Sequence, residues 1–220
     1  ESRRIYKEYR TSAKLTSIKL IGVAGLCSGA GTTQMCIMLA VFMGKVLKKK
    51  TAVAGDEVTY SLMLRQMQKA SAIQHKGIAS RHAYSMDGID YYCGIRDEDI
   101  GILRQKYDVI ILDISFENTF DNTNVTFARM VSRLSACDEK ILAGSMLPWK
   151  SRECEKKMER IERFLDIRGL KMVTLAACDK EAVSIIKKHG VEVVLIPFER
   201  NPFIISGENL RSFLELLKIT

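Results

Sequence analysis

Two hydrophobic periods alternate along this chain. Short β-branched and aliphatic runs fall at Ile18 to Ala24, Thr51 to Ala54, Ile89 to Cys93, Val109 to Ile114, Lys140 to Gly144, Met172 to Ala176 and Val191 to Ile196. Between them, apolar residues three or four apart predict helices over Thr33 to Leu47, Leu62 to Ala70, Glu98 to Gln105, Val125 to Leu134, Arg152 to Leu165, Glu181 to His189 and Asn209 to Leu217. The stretch from Ala72 to Asp87 has little periodicity and reads as a mobile surface loop over a site.

Strands that alternate with helices in this way imply an α/β fold, with a mainly parallel central sheet and helices on both faces. Such sheets bind ligands beyond the carboxyl ends of their strands. The chain is 220 residues long and 47% hydrophobic, enough for one domain with a sizeable core. A basic amino-terminal extension, residues 1–17, is expected to precede a single domain over residues 18–220. In the last helix Leu210, Phe213, Leu214 and Leu217 form one stripe, expected to pack on the sheet.

Composition narrows the function classes. The richest apolar run, Met35 to Val46, falls short of the roughly 20 residues that span a membrane. No charged-then-apolar leader opens the chain, which leads to the expectation of a cytoplasmic protein. Six scattered cysteines, with no C-x-x-C pair, read as reduced and mostly buried thiols rather than a disulfide or zinc framework. Cys27 is the exception, because helix-terminus amides could lower its pKa. His75, His82 and His189 come without a nucleophile or carboxylate partner in sequence and read as ordinary residues. The formal net charge of +8 permits anionic partners without selecting one. Between Lys150 and Arg168 acidic and basic residues interleave, the pattern of a solvated helix face, and no motif there supports a nucleic-acid surface.

The chemistry concentrates at Ile18 to Thr33, a buried strand that runs into a glycine-rich turn and then a helix. This is the layout of a phosphate-binding loop, in which backbone amides surround phosphates, a Lys reaches the terminal ones and a Ser/Thr hydroxyl holds Mg²⁺. Cys27, Ser28, Gly29, Ala30, Gly31, Thr32 and Thr33 are the candidate cofactor-binding residues, and Thr32 stands where the Lys belongs. A second apolar strand closes in Asp113, the place from which an acid holds Mg²⁺ through water. Any parallel strand can end in Asp as a cap, but the order of turn and acid favours a nucleotide site with Thr33 and Asp113 as the metal pair. Asp56 and Glu57, after another strand, either orient water at a phosphate or cap the following helix.

On these residues the chain resembles the ParA/MinD superfamily of ATPases, whose motif reads K-G-G-x-G-K-[ST]-[ST]. Cys27 takes the signature Lys position, Thr32 the second Lys and Thr33 the Mg²⁺ hydroxyl, so both lysines are lost. Ile196, Pro197 and Phe198 look like the family's Pro-containing loop at the base pocket, which makes Pro197 and Phe198 candidate base contacts. Within the superfamily the chain is most similar to the atypical TadZ/CpaE-like domains, which help place Tad (Flp) pilus secretion machinery. The resemblance implies ATP or ADP with Mg²⁺ as ligand, a protein partner in secretion or positioning machinery, and a homodimer. Loss of both lysines implies hydrolysis that is very slow or absent, since a neutral Thr32 brings no charge to the transferred phosphoryl group. Two other readings stand beside this one: a slow ATPase that borrows a cation such as Arg81 or Lys19, and an interaction protein that binds no nucleotide.

Overall fold

The computed structural model describes residues 19–55, 57–67, 70–74, 78, 82–115, 124–175 and 179–218. One sheet organises them. Its strands are β1 (Leu20–Gly25), β2 (Thr51–Gly55), β3 (Ser71–Ile73), β4 (His82–Met86), β5 (Ile89–Cys93), β6 (Val109–Ser115), β7 (Glu139–Ala143), β8 (Lys171–Thr174) and β9 (Glu192–Leu195). They lie side by side in the order β3-β4-β5-β2-β6-β1-β7-β8-β9. From β5 to β9 every pairing is parallel, while β3, β4 and β5 pair antiparallel.

The helices are α1 (Thr32–Val41), α2 (Glu57–Arg65), α3 (Asp97–Lys106), α4 (Asn124–Ser135), α5 (Pro148–Glu162), α6 (Lys180–Lys187) and α7 (Gly207–Leu216). The α/β class and the parallel centre therefore stand as the hydrophobic periods predict. β1 lies between β6 and β7, and all six of its residues are buried, which explains its unbroken apolar run.

From Met35 to Val41 every residue of α1 is buried, so this helix is apolar all round because it is enclosed all round. Beyond Val41 the coil widens over Phe42–Val46, where the Leu47 amide reaches back to the Phe42 carbonyl at 3.0 Å. Phe42 then meets Phe213 of α7, with ring centroids 5.4 Å apart. The α7 stripe is buried as expected at Leu210, Phe213 and Leu217. Its carboxyl end is closed by the buried Lys171 of β8, whose Nζ donates to the carbonyls of Glu215 and Leu216 at 2.9 and 2.8 Å. A cation on the last carbonyls of a helix also opposes its dipole.

Two expectations need correction. The segment from Ala72 to Asp87 carries β3 and β4 within it or at its start, and β4 is three strands removed from β6 along the sheet rather than lying over a site at β1. Ala83, Tyr84 and Met86 are buried there, but the half-buried His82 before them and Ser85 between them blur the alternation. The helix predicted over Leu62 to Ala70 begins earlier, at Glu57, and its last helical residue is Arg65. Tyr60 and Leu64, at i and i+4, are its buried anchors. The charged residues of the helix from Lys150 are exposed or half-buried, and two contacts tie them down. Lys150 and Glu153 form an i,i+3 ion pair, and the Arg160 guanidinium sits 3.9 Å from the centre of the Phe127 ring.

Among the described residues no helix is long and apolar enough to cross a membrane. Residues 1–17 and Arg81, His75 and Asp56 lie outside the described residues.

Candidate functional site

The glycine-rich turn leaves the carboxyl end of β1 between β6 and β7, with Gly25 in register with Ser115 and Ala143. Leu26 continues that pairing, its amide donating to the Ala143 carbonyl at 2.8 Å. The chain then reverses through Gly29 at φ 70° and Gly31 at φ 77°. Both angles belong to the left-handed region that glycine enters at no steric cost. Gly31 is also the residue from which α1 starts, and no side chain caps that start among the described residues. The first-turn amides of α1 have no partner within the helix.

Thr33, on the first turn of α1, donates through Oγ1 to Asp113 Oδ2 at 2.7 Å, across 80 positions of sequence. The fully buried Tyr60 donates to the same oxygen at 3.0 Å. Tyr60 reaches it by lying over Gly55, where an added Cβ would stand 2.1 Å from the ring. Burial, and then the charge of Asp113, push the Tyr60 phenol well above its usual pKa, and the same two causes in the same order raise the Cys36 thiol. A hydroxyl and a carboxylate are hard oxygen donors of the kind Mg²⁺ takes. No group of three or more His, Cys, Asp or Glu among the described residues could hold a metal by itself, so a metal at this place needs ligand oxygens too.

Gly29, Ala30 and Gly31 line a cavity of about 170 Å³ with Gln34, Gly144, Ser145, Thr174, Leu175 and Phe198. Phe198 lines it while 62% exposed. Pro197 does not line it. Gln34 holds the segment in place by donating to the Glu199 carbonyl at 2.6 Å, and Asn209 of α7 donates to the Glu199 carboxylate at 3.1 Å. Leu175 lies against Gly31, 2.5 Å from where a Cβ on that glycine would stand.

The remaining loop positions are turned elsewhere. Thr32 folds back toward the strand, its Oγ1 lying 2.5 Å from where a Cβ on Gly25 would stand. Cys27 is buried and contacts Cys154 of α5; a hydrogen bond from that thiol lowers its pKa against burial, with the Ser145 backbone assisting. The lowering therefore comes chiefly from a second cysteine rather than from the helix terminus that the sequence suggested. Cys154 is raised in turn, first by the same hydrogen bond and then by burial. All five described cysteines are free and buried. Ser28, exposed, donates its amide to Glu153 Oε1 at 3.2 Å.

Glu57 is the first residue of α2, and the structure describes nothing of its side chain; Asp56 lies outside the described residues. Lys19 precedes β1 at the amino end of the strand, about 20 Å from the turn at ~3.3 Å per residue, too far to replace a loop lysine. His189 has a carboxylate partner after all, Glu162 at 3.1 Å, 27 positions earlier. His82 contacts the Arg65 guanidinium at 3.1 Å. Neither His borders the turn.

No family model matches the sequence, and no curated protein sequence matches it. Solved structures do. The MinC:MinD cell division complex of Aquifex aeolicus superposes with a TM-score of 0.63 at 13% identity, over 91% of this chain and 94% of that one. The fold is that of the ParA/MinD ATPases. An ATP complex of McdA from Cyanothece matches at a TM-score of 0.61 and 10% identity, over 93% of this chain and 98% of that one. The MinD septum site-determining protein of Pyrococcus horikoshii, complexed with Mg-ADP, matches at 0.56 and 15%, over 91% and 94%. At such identities the likeness to the ParA/MinD proteins concerns architecture.

Tyr60, Gln34, Leu175, Glu153 and Cys154 are the neighbours of the turn that the sequence did not single out. Only Gln34 lies beside the motif. The other four come from α2, α5 and the end of β8, and no local pattern marks them.

Proposed function

We propose that this chain is a ParA/MinD-type positioning or regulatory protein that binds ATP or ADP with Mg²⁺ at the Cys27 to Thr33 turn and hydrolyses it very slowly or not at all. The hydrogen bond from Thr33 to Asp113 carries this reading, because it joins the two residues that the resemblance makes the metal pair, beside a helix start that no side chain caps. Thr33 and Asp113 would hold Mg²⁺, which would supply positive charge to the phosphates. The chain's own contributions are the main-chain amides of the turn and the dipole of α1, which attract anions whatever the side chains are. The exposed Phe198 ring is the candidate surface for a base, and Gln34 keeps that segment docked.

Turnover is another matter. A cation at the transferred phosphoryl group contributes several kcal/mol of transition-state stabilisation, and neither Thr32 nor Cys27 supplies one. The loss of the signature Lys at Cys27 also weakens an ATP-driven homodimer, since that residue acts across the dimer in the superfamily. Occupancy rather than hydrolysis then becomes the signal. The resemblance to TadZ/CpaE-like domains makes Tad (Flp) pilus machinery the protein partner of choice.

A nucleotide-free interaction protein is the second reading. The cavity favours it, since about 170 Å³ is below the roughly 300–1,000 Å³ of ordinary ligand pockets and holds a base or a phosphate group, not a whole nucleotide. Calorimetry with ADP and ATP, with and without Mg²⁺, separates the two: Mg²⁺-dependent binding supports the first reading, and no binding supports the second. Thr32→Lys then tests the missing charge. Phosphate release from ATP should rise at least tenfold in that variant, and an unchanged rate would refute the account of why turnover is slow.

A further inference from the structure

Helix α5 lays two opposite charges beside the place where the loop has lost two positive ones. Glu153 accepts the Ser28 amide at 3.2 Å, so a carboxylate already occupies one of the turn's main-chain donors. Lys150, one turn earlier on α5, holds the other oxygen of that carboxylate at 3.1 Å. Both charges act on the Cys27 thiol, at the position where the superfamily places its signature lysine.

We propose that Glu153 is an internal stand-in for phosphate, and that an arriving phosphate group displaces it and takes over Lys150 as its counter-charge. The inference rests on the nucleotide-binding reading above. Exchange is favoured by the geometry. A charge-assisted bond from an amide to a carboxylate is strong at about 2.7–2.9 Å, and the contact to Ser28 is longer. Ser28 is exposed and the Glu153 side chain is 45% exposed, so water screens the contact and can replace it. A phosphate group, with more charge and more acceptor oxygens, competes well for the same amide. Its arrival would release Glu153 to solvent and leave the Lys150 ammonium with a second anion within reach of its flexible stem. The compensating cation is thus on α5. It is neither Lys19, at the wrong end of β1, nor a residue added by a partner.

Calorimetric titration of the full chain with Mg-ADP, and with inorganic pyrophosphate, tests the exchange. Glu153→Gln should tighten binding of both ligands at least fivefold, and Lys150→Gln should weaken it at least fivefold. Glu159→Gln, the same charge change on an exposed position of α5, should stay within twofold of the unmodified protein. In amide NMR spectra, pyrophosphate should move the Ser28 signal of the unmodified protein toward its position in Glu153→Gln.

If the unmodified protein binds and Glu153→Gln binds equally, the stand-in is refuted while the nucleotide site survives. Equal tightening by Glu153→Gln and Glu159→Gln refutes it too, because the effect is then net charge alone. An unaffected Lys150→Gln refutes the counter-charge. If no variant binds either ligand, the nucleotide-binding reading itself fails. Binding by Glu153→Gln alone would support both.

Discussion

Thr33→Val is the sharpest test of the site, because it removes one hydroxyl and keeps the side-chain shape. The lost bond runs 2.7 Å to a carboxylate oxygen, in the range of a charge-assisted hydrogen bond. Such bonds are worth about 1.5–3 kcal/mol. Tyr60 remains on the same oxygen at 3.0 Å, and Asp113 is only half-buried, so the lower part of that range applies, about 1.5–2 kcal/mol. At roughly 2–4 °C per kcal/mol for a domain of this size, the melting temperature should fall by about 3–8 °C. Urea unfolding followed by circular dichroism should give a lower midpoint and an unchanged slope, since the surface exposed on unfolding is the same. Combination with Tyr60→Phe should depart from additivity by at least about 0.5 kcal/mol, because both hydroxyls share one acceptor. The functional limb is separate: Mg²⁺ should no longer improve nucleotide affinity in Thr33→Val. A variant within about 0.5 kcal/mol of the parent, with Mg²⁺ dependence intact, would refute the assignment of Thr33 and Asp113 as a coupled pair.

Gly31→Ala should cost at least about 1–2 kcal/mol by thermal unfolding, because an L-residue must take φ 77° and its Cβ meets Leu175 Cδ1 at 2.5 Å; a neutral result would mean that the turn readily changes shape. Alkaline titration should leave several tyrosines un-ionised well past their usual range: burial pushes Tyr92 up to about 12, and burial likewise raises Tyr60, Tyr91 and Tyr107, the last with help from its hydrogen bonds to Asp90 and Tyr92. Each folded pKa lies above its unfolded value, so this stabilisation is complete below about pH 10 and is lost as pH rises through the folded values. Tyrosinate absorbance should therefore show four late phenols that appear together with unfolding, and a smooth titration of all seven near pH 10 would contradict their burial.

Where the sequence was readable, one strand or one turn contained all the information. The run from Ile18 to Ala24 is apolar because β1 is covered on both faces, and Gly29 and Gly31 are glycine because the reversal passes through positive φ. Asp113 was visible as the acid that interrupts a buried strand near its end. Legibility failed where pattern and packing diverge. Ser85 and His82 blur the alternation of β4, and α2 takes its place from Tyr60 and Leu64 rather than from the apolar run that ends at Ala70.

Sequence alone determined the α/β class, the position of the turn and the absence of its two lysines, because residue type and local period depend on neighbours along the chain. Tertiary structure alone decided that Thr33 meets Asp113, that Tyr60 shares that oxygen, that Cys154 sits on Cys27 and that Glu153 reaches the Ser28 amide. These contacts join elements separated by the crossovers of a parallel sheet. Their geometry follows from strand order and helix packing, which many sequences satisfy and no local pattern encodes.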